Sequence, residues 1–327
     1  MSASPDVPRD LHGAGALVTG GAGFIGSHLV EGLLAAGAAR VVVVDDLSLG
    51  REANLAAVRD RIEFVHADCA APTALKEACG GRPLDLCFNL AVIPLPHSLE
   101  HPRENVERNV AMTTAVCELQ RAGGFERLVQ FSSSEVYGTA RRVPMGEQHP
   151  LGAHTPYAAA KAATDLVALS YRATFGLDVV VARPFNAYGE RQNDTAYAGL
   201  IPIVVRRVLA GEPVIVNGDG EQTRDMTYVG DTVAGTLAVA VAGGSGETYN
   251  IGTGTEASVN EMVRELLDAL DAPEHPVEHG PPRPGDVRRL LADTARLREA
   301  TGFVAGTSLE EGLRRTVRWY LSAPAAA

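Results

Sequence analysis

Through the first half of the chain, short apolar or β-branched runs alternate with longer helical patterns, as in a parallel sheet with crossover helices. The runs predict strands at Ala16–Thr19, Arg40–Val44, Ile62–His66, Asp85–Asn89, Arg127–Phe131 and Asp178–Ala182. Between them, His28–Ala36, Asn105–Arg121 and Tyr157–Phe175 are long enough to return the chain across the sheet on right-handed connections. After Pro184 the elements shorten. A helix Leu200–Ala210, a strand Val214–Val216, a Gly-rich turn Gly218–Gly220 and an apolar run Met226–Val229 are followed by a helix from Asp231. A Pro-rich stretch, Pro273–Gly285, precedes a final helix Leu309–Leu321. The expected fold class is α/β, a doubly wound parallel sheet with a smaller, interleaved C-terminal substrate domain. Residues 12–184, with a returning segment 229–252, make the first unit; 185–228 and 253–322 make the second.

The first strand runs directly into Gly20-Gly21-Ala22-Gly23-Phe24-Ile25-Gly26 and then a helix. At such a junction Gly20 tightens the turn, Gly23 brings backbone N–H groups against a pyrophosphate, and Gly26 lets helix and strand pack closely. Nineteen residues past Gly26 the second strand ends at Asp45, where a carboxylate accepts from an adenosine ribose diol and repels a 2′-phosphate. The sheet is then of the Rossmann type, and the cofactor expected is NAD rather than NADP. Asp68, after the third strand, either meets the adenine amino group or is a solvated loop acid. Leu90 and Ala91 follow the fourth strand into the crevice, and Asn109 is a further cofactor candidate.

Tyr157 and Lys161 stand four apart at the start of a helix, so both side chains project from one face. A tyrosine is a poor base at neutral pH unless a neighbouring positive charge lowers its pKa. Upstream, the strand Arg127–Phe131 ends in Ser132-Ser133-Ser134-Glu135-Val136-Tyr137-Gly138. Hydroxyls and a carboxylate thus lie at the C-terminal edge of a parallel sheet, where open α/β folds place their ligands; serines after a strand also form turns.

The 327 residues are 46% hydrophobic and carry a net charge of −11, which argues against nucleic-acid or membrane-surface partners. Cations are almost all arginine; Lys76 and Lys161 are the two lysines. Cys69, Cys79, Cys87 and Cys117 show no C-x-x-C spacing and read as reduced core thiols, with no metal site indicated. Met1–Leu11 has no apolar core of a signal sequence, and no run of about 18 apolar residues occurs, so a cytoplasmic location is expected.

These motifs, with Asp45-Asp46-Leu47-Ser48, Arg183-Pro184-Phe185-Asn186-Ala187-Tyr188-Gly189, Gly218-Asp219-Gly220, Arg224-Asp225 and Arg283-Pro284-Gly285-Asp286, resemble the extended short-chain dehydrogenase/reductase family, specifically its nucleotide-sugar-modifying members. The resemblance spans nearly the whole chain. It implies Tyr157 as the base toward the sugar 4-hydroxyl, Lys161 on the nicotinamide ribose and lowering the tyrosine pKa, and Ser133 on the reacting oxygen. The cofactor set so implied is Gly20, Gly23, Phe24, Ile25, Gly26, Asp45, Asp46, Ser48, Asp68, Cys69, Leu90, Ala91, Asn109, Tyr157, Lys161 and Pro184. For the nucleotide sugar it implies Ser134, Asn186, Arg224, Arg283 and Asp286, with Val214 and Val216 flanking the base. It also implies a homodimer through the helices Asn105–Arg121 and Tyr157–Phe175.

Glu135 discriminates among reactions, because a 4-epimerase has no evident use for a carboxylate beside the serines. The Ser134-Glu135 pair is the pattern of UDP-glucuronate decarboxylases and also of some dehydratases. Many dTDP-glucose dehydratases carry Asp where this chain has Ser134. Arg288 or Arg289 could meet a substrate carboxylate or be solvated. The expected order is UDP-glucuronate decarboxylation to UDP-xylose or a UDP-4-keto-pentose, then 4,6-dehydration, then 4-epimerisation. A catalytically silent NAD-binding regulatory protein is the alternative from another class.

Overall fold

The computed structural model describes residues 10–193, 199–282 and 287–322. One seven-stranded, wholly parallel sheet runs in the order Thr248–Ile251, Asp178–Pro184, Phe125–Phe131, Leu84–Asn89, Gly15–Thr19, Arg40–Asp45, Glu63–His66. The winding reverses between Gly15–Thr19 and Leu84–Asn89, so Thr19 and Asn89 meet side by side at the C-terminal edge. This is the switch point at which doubly wound sheets open a ligand crevice. There Thr19 Oγ1 donates to Asn89 Oδ1 at 2.7 Å, and Asn89 Nδ2 to Gln130 Oε1 at 2.8 Å, a buried polar ladder across three strands.

Side chains alternate between two cores, which is why these strands read as continuous apolar runs rather than alternating ones. Ala16, Val18, Val41, Val43, Phe88 and Val180 pack under helices Phe24–Ala35 and Val229–Ala242. Leu17, Val42, Val44, Leu128 and Val179 pack on the opposite face under Pro102–Arg121 and Pro156–Phe175. Each fully buried Val or Leu contributes about 1.5–3 kcal/mol of transfer free energy. All four cysteines are buried, unpaired thiols packed in this second core. Burial pushes Cys69 up to about 12, so it stays protonated.

Beyond Pro184 the chain leaves the sheet and builds a third core from Ile201, Val204, Val214, Val216, Leu266 and Leu313. Helix Val229–Ala242 and strand Thr248–Ile251 then return, the strand pairing with Asp178–Pro184. The run Met226–Val229 divides: Thr227–Tyr228 is a two-residue strand and Val229 already opens the helix. Within Pro273–Gly285, Val277–Gly280 is a strand alongside Val214–Asn217. The helices Pro72–Ala78, Leu95–Glu100, Val259–Ala269 and Ala295–Thr301 were not expected from the pattern. Among the described residues no helix is long and apolar enough to cross a membrane.

Candidate active site

A cavity of about 720 Å³ opens at the switch point. Its floor at one end is the glycine turn. Gly20 has φ +69°, and a Cβ there would lie 2.8 Å from the Ala91 nitrogen; a Cβ on Gly26 would lie 2.1 Å from the Gly20 carbonyl oxygen. Neither position admits a side chain, and the chain turns close beneath the cavity. Helix Phe24–Ala35 begins here with no side chain capping its N-terminus, so its first N–H groups and dipole favour an anion. Asp45, buried at the end of its strand, accepts from the Ala22 and Leu47 N–H groups, both at 2.9 Å. Burial raises its pKa against those two donors. This side-chain-free cradle with a fixed carboxylate beside it fits the pyrophosphate and ribose of NAD.

At the other end, Thr155 caps helix Pro156–Phe175 by accepting from the Ala158 N–H at 3.2 Å, which sets the first turn and aims Tyr157 and Lys161 into the cavity. Ser133 Oγ accepts the Glu135 N–H at 3.2 Å, holding the short turn Ser134–Tyr137, and its hydroxyl is hydrogen-bonded to Tyr157. Lys161 is 4% exposed, and its Nζ donates to the Phe131 carbonyl at the end of the strand. Burial brings it down to about 8, with Asp165 pulling the other way. Burial likewise pushes Tyr157 up to about 12; Ser133 opposes this, while Glu135 and Asp165 add to it. Lys161 is therefore not what lowers the tyrosine pKa in the protein alone.

The structure gathers most of the expected residues on this one cavity: the glycines with Phe24 and Ile25, then Asp45, Asp46 and Ser48, then Cys69, Leu90 and Ala91, and finally Ser133, Ser134, Glu135, Tyr157, Lys161, Pro184 and Asn186. Others lie elsewhere. Asp68 is bound by Arg108 through two contacts at 2.8 and 3.1 Å, which occupies both its oxygens. Asn109 faces inward, accepting from Ile93 N at 2.9 Å and donating to Ile93 O at 3.1 Å, so it braces the loop after the fourth strand rather than touching the cavity. Val214 and Val216 cannot flank a base with their side chains, because strand alternation turns both into the third core. Arg224 donates to its neighbour Thr223 O at 2.9 Å and does not line the cavity. Arg283 and Asp286 fall outside the described residues.

Sequence reasoning missed His97 and Glu104, which also line the cavity, 3.7 Å apart between Nε2 and Oε2. Their signal was faint: a short Pro-flanked helix carries one and the first turn of the next helix the other. Arg288 and Arg289 are both committed to surface acids, Asp219 at 2.8 Å and Glu256.

Residues 16–252 match the model of the NAD dependent epimerase/dehydratase family. The chain is 38% identical to a UDP-glucose 4-epimerase of Mycolicibacterium smegmatis over 93% of its own length and 97% of that protein. It is 36% identical to a dTDP-glucose 4,6-dehydratase of Actinoplanes, again over 93% and 97%. Among solved structures, the dTDP-glucose 4,6-dehydratase DesIV of Streptomyces venezuelae, with NAD bound, superposes with a TM-score of 0.88 at 37% identity, covering 94% of this chain and 96% of that one. The UDP-glucose 4-epimerase of Thermotoga maritima, with UDP-glucose, does so with a TM-score of 0.88 at 33% identity, covering 94% and 98%. With the switch-point cavity, the glycine cradle and the Tyr157–Lys161 face all in place, the chain belongs to the NAD-dependent epimerase/dehydratase family of extended short-chain dehydrogenases/reductases, in its nucleotide-sugar-modifying branch.

Proposed function

We propose that the protein is a nucleoside-diphosphate-hexose 4,6-dehydratase. The observation that carries this reading is Glu135, a carboxylate on the same cavity wall as the Ser133–Tyr157 pair. Tyr157 takes the proton of the sugar 4-hydroxyl while Ser133 holds the reacting oxygen, and Lys161 orients the nicotinamide ribose. When bound, NAD would supply the hydride acceptor and, in its nicotinamide, a positive charge beside the Tyr157 phenol. The 4-ketone acidifies carbon 5; Glu135 takes that proton and passes it to the carbon-6 hydroxyl, which leaves as water, after which the hydride taken from carbon 4 would return to carbon 6 and the proton held by Tyr157 to carbon 5, leaving the cofactor oxidised. Asn186 lines the cavity beside Pro184, which supports a contact with the nucleotide portion.

Uronate decarboxylation, the reaction expected first, has less support than dehydration or epimerisation, the activities of the relatives named above. A substrate carboxylate calls for a cation, yet Arg108 and Lys161 are the only Arg and Lys among the described cavity residues. Arg108 is paired with Asp68, and Lys161 donates to a backbone carbonyl. Epimerisation is the second reading, favoured by the 38% identical relative.

The test is to incubate the NAD-loaded protein separately with dTDP-glucose, UDP-glucose and UDP-glucuronate and to weigh the products. Loss of water from a hexose substrate is expected. Loss of carbon dioxide, or a 4-epimer of unchanged mass, would overturn the reading. The outer surface of helix Pro156–Phe175 exposes Leu166 and Phe175, 62% and 52% accessible, and supports self-association there; light scattering of the wild type and Leu166→Glu decides it.

A further inference from the structure

A charged network lies behind Tyr157 and Lys161, in side chains that the proposed chemistry does not use. One helical turn beyond Lys161, Asp165 is 2% exposed, and its Oδ2 accepts from Ser132 Oγ at 2.6 Å and from Arg183 Nη2 at 2.7 Å. Its Oδ1 is buried with no hydrogen-bond partner among the described residues. Arg183, at the end of strand Asp178–Pro184, also donates from Nε to Ser132 Oγ at 3.3 Å and from Nη1 to the Tyr137 hydroxyl at 2.7 Å. Its guanidinium lies 4.7 Å from the centre of the Tyr137 ring, and Tyr137 in turn donates to Asn250 Oδ1 at 2.8 Å.

A buried ion pair is weak evidence for stability, because desolvation offsets most of its Coulombic gain. Its position is the informative part. Asp165 shares a helix face with Lys161, four residues on, and Ser132, which it binds, is the neighbour of Ser133. We propose that Asp165 and Arg183 are positioning residues that set the protonation of the reacting pair from behind. Asp165 holds Lys161 as an ammonium, and Arg183 cancels the field that Asp165 alone would impose on the Tyr157 phenol.

The charge arrangement supports this. Three elements present ionised groups here: Lys161 and Asp165 from the helix, Arg183 from the adjoining strand, and Glu135 from the turn. Strand Phe125–Phe131 presents only the Phe131 carbonyl to Lys161. These four charges cancel; without Arg183 they would leave one net negative charge beside the phenol, and without Asp165 one net positive charge. Of these groups, Asp165 is the one that raises Lys161 against its burial, and Asp165 and Glu135 both raise Tyr157.

The inference rests on Tyr157 being the acid–base group, so its test reads that phenol directly and needs no sugar. The ultraviolet phenolate band of Tyr157 is titrated as the difference between the NAD-loaded protein and its Tyr157→Phe variant, in backgrounds Asp165→Asn and Arg183→Gln. Asp165→Asn removes a negative charge, so the midpoint falls by about one pH unit; Arg183→Gln leaves Asp165 uncompensated, so the midpoint rises by about as much. The double variant returns close to the wild-type value. Midpoints that stay put, or move in one common direction, overturn the proposal. If Arg183→Gln fails to fold by circular dichroism, Asp165→Asn decides alone, and an unmoved or raised midpoint counts against it. Absence of sugar turnover alongside opposed midpoints would sink the dehydratase reading and leave this one standing.

Discussion

The two ends of the cavity are built from different materials. The cofactor end is backbone: glycines that exclude any Cβ, a helix N-terminus, and an aspartate fixed by two N–H groups. The sugar end is side chains whose ionisation is held away from its ordinary range, Tyr157 up to about 12 and Lys161 down to about 8. Damage to the first end should therefore appear as lost fit and lost affinity. At the second it should appear as lost rate, with folding and cofactor binding intact.

The sharpest way to separate the ends is Tyr157→Phe, which deletes one oxygen. We expect kcat to fall about 10³-fold, with NAD affinity unchanged by calorimetry. Glu135→Gln should lower water loss about 10²-fold, while tritium at carbon 4 of the sugar is still transferred to the cofactor. If Glu135→Gln retains full dehydration, that residue has no part in the reaction. Gly26→Val tests the backbone end: its Cβ would sit 2.1 Å from the Gly20 oxygen, so NAD should bind about 100-fold more weakly and the protein should lose about 3 kcal/mol in urea melts. Normal NAD affinity in that variant would break the comparison. The smallest effect is expected at Asp68→Asn, which removes a half-exposed ion pair with Arg108; stability should drop by less than about 1 kcal/mol and turnover should hold.

The sheet was legible because buried parallel strands are short apolar runs between helices, and six of its seven strands fall within two residues of their expected bounds. The seventh, Thr248–Ile251, is Thr-Tyr-Asn-Ile, too short and polar to stand out, and only the returning segment 229–252 anticipated it. Helix Val259–Ala269 carries its own start signal, since Ser258 and Glu261 form a capping box in front of an apolar stripe. That Tyr157 and Lys161 line one cavity together was visible in their four-residue spacing. Val214 and Val216 alternate along their strand, so both fall on the face that packs into the third core. Asp68 and Asn109 were unreadable as structural residues, because their partners Arg108 and Ile93 lie 40 and 16 positions away along the chain. The Asp165–Arg183 contact was hidden for the same reason, although Asp165 stands one helical turn past a residue already singled out.

The late return of Thr248–Ile251 has a consequence for synthesis on the ribosome. When Pro184 has emerged, six strands of the sheet exist, but strand Asp178–Pro184 still shows an unpaired edge and Tyr137 lacks its acceptor Asn250. More than sixty further residues must be translated before that edge is covered. During this interval the nascent chain offers an open strand of Val-Val-Val-Ala to any neighbour, a template for misassembly that the finished protein no longer presents.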